Sequence, residues 1–335
     1  MHHAARLLGF LVLAAVATAP LRAAESPGAN DKGNATPVMT IPISAAVPKL
    51  DGVIGENEWV GPVAQGFYQQ NVSQLDRRGG RFALACDGTN LYIAIETPVH
   101  PRFGPVARLL GNDPDDIVCD DSVELWLVQG LSGKAEAAYQ IMIGPNGNYA
   151  PRKFVDPSPN INFFTMGWEI KGFACCSVIR DSKWTLETAI PLAALGTNAI
   201  GAGLRLRVCR NYKLPFVQAR DNPNVVYYKD PFTMMQVRIQ EGAPIVCEPD
   251  WVAQKNDKAA LTLRNPTQAA MKVQVAGTAV ELAPGATQQV PIAIQAGEKN
   301  ARRAEVAVTL SDGTVIHRRT ARWIVSSEPL WEEVL

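Results

Sequence analysis

Short runs of alternating apolar and polar residues, separated by turn residues, are the feature that most constrains the fold of this chain. The clearest run covers residues 120–127, where three aliphatic residues alternate with Glu124 and Trp126. Successive side chains of a strand point to opposite faces, so the aliphatic set is predicted to face a core. Glu124 and Trp126 are predicted to face outward, toward solvent or a ligand.

Runs of the same kind recur along the chain and predict an all-β protein. Longer runs lie at residues 81–86, 91–97, 139–143, 174–180, 184–190 and 204–209, and shorter ones at 261–263, 271–275, 289–294, 304–310 and 315–323. Aromatic residues become rare after residue 244, which suggests a domain boundary there. We predict a β-sandwich at residues 45–242, a smaller immunoglobulin-like β-sandwich at 245–325 and a tail at 326–335.

The amino terminus has the pattern of a secretory signal peptide. A basic start is followed by an apolar run at residues 7–19 and by small residues near Ala23, which predicts a signal peptide at 1–24 and a flexible leader at 25–44. The protein is therefore predicted to be secreted or periplasmic. No later apolar run reaches the roughly 20 residues of a membrane span. Because 32 basic residues balance 32 acidic ones, the charge does not favour a nucleic-acid partner.

Several segments occur in an order that points to one family. They are Leu50-Asp51-Gly52 with Trp59, and residues 87–94, 120–127, 139–141, 146–147 and 184–191. In this order they resemble the carbohydrate-binding module family 9-like domains, a branch of the DOMON-type β-sandwiches, over about residues 45–240. The resemblance implies a non-catalytic module that binds a polysaccharide or oligosaccharide, with a carbohydrate-active enzyme as a partner.

Sugar binding needs a flat apolar face that stacks on the ring and planar polar groups that bond its hydroxyls. The candidates for stacking are Trp168, Trp126 and Tyr149. The candidates for hydrogen bonding are Glu124, Gln140, Arg205, Arg207 and Arg210. Trp168 has an alternative role as a packed residue at the edge of the sandwich.

The position of Arg210 leaves two alternatives open. The family resemblance favours an arginine at this point, before Asn211 and Tyr212. Strict alternation, however, puts Arg210 on the core side of its strand, away from Arg205 and Arg207. Either a bulge near residue 209 turns Arg210 outward, or Arg205 and Arg207 are the arginines that face the ligand.

Calcium is the one cofactor that the sequence predicts. The loop that carries Asp113, Asp115 and Asp116, followed by Asp120, supplies the hard oxygen ligands that calcium takes. Related modules bind structural calcium, although this stretch lacks the spacing of a recognised calcium loop. An acidic loop that is merely solvated is the alternative.

Catalysis has few candidate residues. Once the signal peptide is removed, His100 and His317 are the remaining histidines, which argues against histidine-based zinc sites and Ser-His-Asp triads. Glu124 and Glu187 share the outward parity and would be the glycosidase pair if the protein were an enzyme. We instead predict a non-catalytic glycan-binding protein.

Two further alternatives stay open. One is a structural or assembly protein of the cell envelope that has no sugar site. The other is an accessory of a glycoside hydrolase or a haem-binding DOMON-type module. In the haem case His100 would pair with Met142 or Met166 as axial ligands.

Overall fold

The computed structural model describes residues 35–335 except Glu56 and the segments 71–73, 109–110, 113–116, 132–136, 156–164, 197–198, 224–229, 327–329 and 332–335. The predicted signal peptide at 1–24 lies outside the described residues. Residues 35–335 form one compact unit. The regular secondary structure of this unit is almost entirely strand, so the predicted all-β class is confirmed.

The larger sheet contains 14 strands within the described residues. Its main hydrogen-bonded path runs in the order β18 (Thr278–Leu282), β17 (Met271–Val275), β21 (Ala301–Leu310), β22 (Val315–Ile324), β1 (Val38–Ile41), β14 (Met235–Ile239), β12 (Leu204–Lys213), β6 (Ser122–Gln129), β7 (Ala137–Ile143), β8 (Tyr149–Val155) and β9 (Thr165–Gly167). Off this path, β13 (Phe216–Arg220) pairs with β12 and β3 (Tyr68–Gln69), and β20 (Gln295–Ala296) pairs with β21.

The second sheet contains eight strands in the described part of the chain. Their order is β10 (Ala174–Arg180), β11 (Lys183–Pro191), β5 (Asn90–Pro98), β4 (Arg81–Cys86), β2 (Val63–Gln65), β15 (Ile245–Cys247), β16 (Lys258–Arg264) and β19 (Thr287–Ala293). The described helical structure is short and consists of Leu192–Leu195, Ala199–Ala202, Pro231–Thr233 and Glu298–Asn300. No helix in this described part is long and apolar enough to cross a bilayer.

Two apolar cores lie between these sheets. The first contains the inward residues of β4, β5 and β11 from one sheet and of β6, β7 and β12 from the other, including Phe82, Leu125 and Trp184. The second contains inward residues of β16 and β19 together with those of β17, β21 and β22. Each core is closed on two sides by sheets, which is the geometry of a β-sandwich.

The first strand corrects the predicted leader at 25–44. Val38–Ile41 is a buried strand that pairs in parallel with β14 and antiparallel with β22. Met39 and Ile41 contribute to the first core. The strand was missed because four residues carry little periodicity, and its parallel partner lies about 200 residues away in the chain.

The strands of the two predicted domains, 45–242 and 245–325, belong to the same two sheets. β15 pairs in parallel with β2, and β1 joins β22 to β14. Tyr68 and Leu75, from the first predicted domain, are buried in the second core. Strand pairing thus continues across the predicted boundary. The two-domain division and the immunoglobulin-like character of the second sandwich stay predictions.

Candidate functional site

The face of the larger sheet that points away from the first core carries a row of polar and aromatic side chains. Arg207 of β12 lies opposite Trp126 of β6, which lies opposite Gln140 of β7, and Gln140 lies opposite Arg152 of β8. Residues that are directly opposite on neighbouring strands project to the same face. The four side chains therefore form one row across four strands, on what we call the outer face.

Glu124 lies at the centre of the outer face and is held by three neutral donors. Its Oε2 accepts hydrogen bonds from Trp126 Nε1 and Gln140 Nε2, both at 3.0 Å, and its Oε1 accepts one from Asn211 Nδ2 at 2.7 Å. Gln140 Oε1 and Asn211 Oδ1 are buried and have no hydrogen-bond partner within the described chain. These two amide oxygens are therefore fixed hydrogen-bond acceptors that lack a donor in the described residues.

The predicted outward exposure of this group is wrong. Glu124 and Trp126 lie on the face opposite the core, as alternation requires, but they expose only 6% and 5% of their surface. Trp126 packs on Phe154, with 5.1 Å between ring centroids, and shares a small apolar cluster with Met234. Trp126 is thus a packing residue, and its indole N–H also orients Glu124. Both residues are buried because segments from elsewhere in the chain cover this face.

Buried arginines extend the outer face beyond Glu124. Arg207 Nη2 donates to Thr233 Oγ1 at 2.7 Å, and its guanidinium lies 4.0 Å from the Asp221 carboxylate. Burial lowers the pKa of Arg207, an effect that the charge of Asp221 opposes. Burial raises the pKa of Asp221, although Arg207 and the Val208 N–H favour its charged form. These groups form a charged, largely desolvated patch.

Arg205 and Phe232 lie at the end of this patch. Arg205 is buried, and its Nη1 has no hydrogen-bond partner in the described residues. Phe232 is 67% exposed as a residue, and its ring centroid lies 5.5 Å from the Arg205 guanidinium carbon. Phe232 was missed at the sequence level because it sits in a short 3-10 turn with no alternation.

The structure places the other two stacking candidates on the core side. Trp168 is half-buried and packs on Tyr139 of the first core, with ring centroids 4.5 Å apart. Tyr149 packs on Phe173 at 4.6 Å and also contacts the first core. Neither belongs to the outer face with Glu124, and Trp168 has the packed role that the sequence left open as its alternative.

The two alternatives for the arginines are resolved by the register of β12. Its pairing with β6 continues without a shift through Cys209 and Arg210, so no bulge turns Arg210 outward. Arg210 is fully buried between Trp184 and Tyr212 of the first core. Of the three predicted arginines, Arg205 and Arg207 lie on the outer face. Asn211 has the same parity on β12 as Arg205 and Arg207, so it also lies on the outer face. It was not among the site residues predicted from the sequence.

The carboxylate pair required for a glycosidase is not formed by Glu124 and Glu187. Glu187 lies on the outer side of the second sheet, where its Oε2 accepts the Gly52 N–H at 2.6 Å. The first core separates it from Glu124, and packed sheets are about 10 Å apart before the outward side chains are added. Two catalytic carboxyls face each other across roughly 5–10 Å, so this pair cannot act together.

The predicted calcium ligands are only partly described. Asp113, Asp115 and Asp116 lie outside the described residues. Asp120 is buried, accepts the Arg108 N–H at 2.7 Å and pairs with the Arg108 guanidinium at 3.4 Å. In the described part of the chain, no group of three or more His, Cys, Asp or Glu side chains is placed to hold a metal ion. Calcium therefore stays a prediction.

The haem alternative also stays untested. His100 Nδ1 accepts the backbone N–H groups of Arg102 and Phe103, and its ring packs on Phe103 and Trp331. Met142 packs in a small apolar cluster with Ile117, and His100 is not a member of that cluster. The Met166 side chain is outside the described set.

No protein-family model and no curated protein matches the chain. Among solved structures, a family 9 carbohydrate-binding module from Caldicellulosiruptor kristjanssonii in complex with glucose is 13% identical, covers 61% of this chain and 96% of its own, and has a TM-score of 0.42. The complex of such a module from the same organism with cellotriose is 14% identical and covers 61% and 94%, also with a TM-score of 0.42. The chain is similar to these two modules over 61% of its length.

Proposed function

We propose that the outer face around Glu124 binds a carbohydrate. The observation that carries the proposal is the fixed Glu124 carboxylate beside two buried amide oxygens, of Gln140 and Asn211, that have no partner in the described residues. A sugar hydroxyl is both donor and acceptor, so it can donate to these oxygens and accept from an arginine. Leaving such oxygens unpaired is costly, which favours a ligand that satisfies them.

The burial of the site favours the end of a glycan over the middle of a chain. Gln140 and Asn211 expose only 5% and 2% of their surface, so a long chain has little room to lie across them. Phe232, at the edge of the patch, is the exposed ring that would stack on a sugar. We therefore replace Trp168 by Phe232 as the stacking residue.

Replacing Glu124 by glutamine is expected to weaken glycan binding at least tenfold. The amide keeps the size of the side chain but removes the charge, and hydrogen bonds to charged groups are worth about 1.5–3 kcal/mol. A glycan array selects the ligand, starting from glucose and cellotriose, and titration calorimetry gives the affinity. We expect a Kd of roughly micromolar to millimolar for the wild type.

The control for this charge is Glu241→Gln on an exposed turn. It removes the same charge on a residue that is not part of the outer-face network and should bind like the wild type. If the wild type binds no glycan of the array, or a folded Glu124→Gln variant keeps full affinity, the outer face is not a carbohydrate site.

Replacing Phe232 by alanine should weaken the same binding with little change in stability. About 100 Å² of apolar contact at roughly 25 cal/mol per Å² is worth about 2.5 kcal/mol. Phe103→Ala is a matched control, since that ring is 60% exposed and lies 5.2 Å from an arginine carbon, Arg102. Equal losses of affinity in the two variants would exclude a specific stacking role for Phe232.

A second candidate function is a structural or assembly role in the cell envelope. The specific observation that favours it is the burial of Glu124, Gln140 and Trp126, since a purely structural polar group has no need of access. The glycan array separates the two functions. A carbohydrate-active enzyme as partner stays a prediction in either case.

We also propose that the protein is exported, on the strength of the signal pattern at residues 1–24. Cell fractionation followed by amino-terminal sequencing tests this. Recovery of the chain in the cytoplasm with its first 24 residues intact would contradict export.

A further inference from the structure

Arg205 differs from three other buried arginines because no carboxylate forms an ion pair with it in the described residues. Arg207, Arg210 and Arg319 are paired with Asp221, Asp121 and Glu248, at nitrogen-to-oxygen distances of 4.0, 2.6 and 2.6 Å. Arg205 is also buried, at 4% exposure, and its Nη1 has no hydrogen-bond partner in the described chain. A buried charge without a partner is costly, so this guanidinium suits a ligand that brings negative charge.

The acidic residue that acts on Arg205 is Asp230, and its polar atoms are used within its own turn. Burial lowers the pKa of Arg205, and the charge of Asp230 opposes this effect. Asp230 Oδ1 accepts the Phe232 N–H at 3.0 Å, and its carbonyl O accepts the Thr233 hydroxyl at 3.0 Å. Asp230 thus holds the turn that carries Phe232 and leaves the donors of Arg205 to a ligand.

Arg205 and Glu124 lie on the same outer face but at different places along β12. Glu124 is opposite Cys209, and Arg205 lies four residues before Cys209 on this strand. At about 3.3 Å per residue, the two groups are roughly 13 Å apart along the strand direction. An oligosaccharide with one unit at Glu124 can therefore place another unit beside Arg205.

Phe232 and Gln236 complete the surroundings of Arg205. The Phe232 ring centroid lies 5.5 Å from the guanidinium carbon, and this residue is 67% exposed. A sugar that stacks on the ring therefore has its substituents close to the guanidinium. Gln236 of β14 lies directly opposite Arg205 and projects to the same face, where its amide can donate to the same substituents.

We infer that Arg205 binds an oxyanion of the glycan, so that the ligand of the outer face is an acidic oligosaccharide with a carboxylate or sulfate group. This inference rests on the proposed function, because it assigns the class of substrate for the same site. The planar fork of arginine pairs with the oxygens of such groups in a bidentate manner. The bound group gives Arg205 the counter-ion that the other three arginines have within the chain.

The test is titration calorimetry of the full chain with three trisaccharides of one backbone. They are cellotriose, the β-1,4-linked trimer of glucuronate, which has carboxylates in place of the primary alcohols, and cellotriose sulfated on its primary hydroxyls. At low ionic strength at least one acidic trimer should bind at least tenfold tighter than cellotriose, and sodium chloride should reduce this preference. Tighter binding of the glucuronate trimer assigns a carboxylate, and tighter binding of the sulfated trimer assigns a sulfate ester.

Arg205→Gln is expected to lower the ratio of acidic to neutral affinity about tenfold, as the loss of one charge-assisted contact implies. Arg180→Gln, on the exposed hairpin between β10 and β11, removes the same charge elsewhere and should leave the ratio unchanged. Arg205→Lys keeps the charge without the fork and should lower the ratio by less. It provides the second measurement if Arg205→Gln does not fold.

The outcomes separate this inference from the proposed function. If neutral glycans bind, and bind at least as tightly as every acidic one, the inference is wrong while the carbohydrate site stands. The same holds if a folded Arg205→Gln variant keeps the wild-type ratio, or if Arg180→Gln lowers it equally. If neither the trimers nor any glycan of the array binds, the inference and the proposed function are both wrong.

Discussion

Replacing Glu248 by alanine is expected to lower the free energy of unfolding by about 3–5 kcal/mol, the usual result of removing one partner of a buried ion pair. Glu248 Oε2 accepts from Arg319 Nη1 at 2.6 Å and Trp251 Nε1 at 2.9 Å, and Oε1 lies 2.9 Å from His317 Nε2. Glu248, His317 and Arg319 are all buried. Alanine would leave the Arg319 charge in the interior without its counter-ion.

The same carboxylate joins the two predicted domains. Glu248 Oε2 also accepts the Gln65 N–H at 3.0 Å, and Arg319 donates to Gln65 O and Gly66 O at 2.8 and 2.6 Å. The loss of Glu248 is therefore expected to weaken both sandwiches at once, in a single unfolding transition. Urea denaturation monitored by fluorescence and by circular dichroism should give coincident curves for the variant.

The pH dependence of stability follows from the pKa of Glu248. Burial raises this pKa, but the charge of Arg319 and the hydrogen bond with His317 outweigh burial and lower it from 4.5 to about 2. A carboxyl with a depressed pKa in the folded state stabilises the protein above its unfolded pKa, and this contribution is lost as the pH falls from about 4.5 toward 2. The difference corresponds to about 3 kcal/mol.

The measurement is urea denaturation of the wild type and of Glu248→Gln between pH 7 and pH 3. The wild type should lose stability more steeply on acidification than the variant, which has no carboxyl to protonate. Glu241→Ala, on an exposed turn, should stay within about 0.5 kcal/mol of the wild type. Parallel pH profiles for the wild type and Glu248→Gln would show that Glu248 is not the group that titrates.

The strands could be predicted from the sequence where alternation was long and regular. The predicted run at 204–209 lies within β12, and the predicted run at 184–190 lies within β11. In such runs one side of each strand must be apolar because it faces the core, so the pattern is visible locally. β1 was missed because its identity as a strand depends on pairing with β14 and β22, which only the folded chain brings together.

The burial of the candidate site could not be predicted in the same way. Alternation correctly put Glu124 and Trp126 on the side opposite the core, but it says nothing about what covers that side. Part of the cover comes from Met234, which follows the end of β6 by more than 100 residues in sequence. The network of Glu248, His317 and Arg319 was invisible for the same reason, since about 70 residues separate its two parts.

Replacing Arg210 by alanine is expected to destabilise the fold by about 3–5 kcal/mol. Arg210 Nη2 donates to Asp121 Oδ2 at 2.6 Å, and Nε donates to Thr97 Oγ1 at 3.1 Å. Its guanidinium carbon lies 3.9 Å from the Tyr212 ring centroid and 4.8 Å from that of Trp184. Alanine would leave the buried Asp121 carboxylate without its counter-ion and open a cavity between the two rings.

The double variant Arg210→Met with Asp121→Asn should be less destabilised than the sum of the two single variants, because no charge is then left unpaired. Simple additivity of the two losses, measured by urea denaturation, would contradict a direct coupling of the two groups.

The effect on binding separates a structural role for Arg210 from the ligand-binding role that its sequence motif suggested. Arg210 lies on the core side of β12, whereas Glu124 and Asn211 lie on the outer face. Arg210→Lys, which keeps the charge but not the planar fork, should therefore lose stability while retaining glycan affinity within about twofold. Glu124→Gln should lose glycan affinity instead. The measurement is titration calorimetry of both folded variants. A tenfold loss of glycan affinity in Arg210→Lys would show that Arg210 takes part in binding and would contradict the assignment of the site to the outer face.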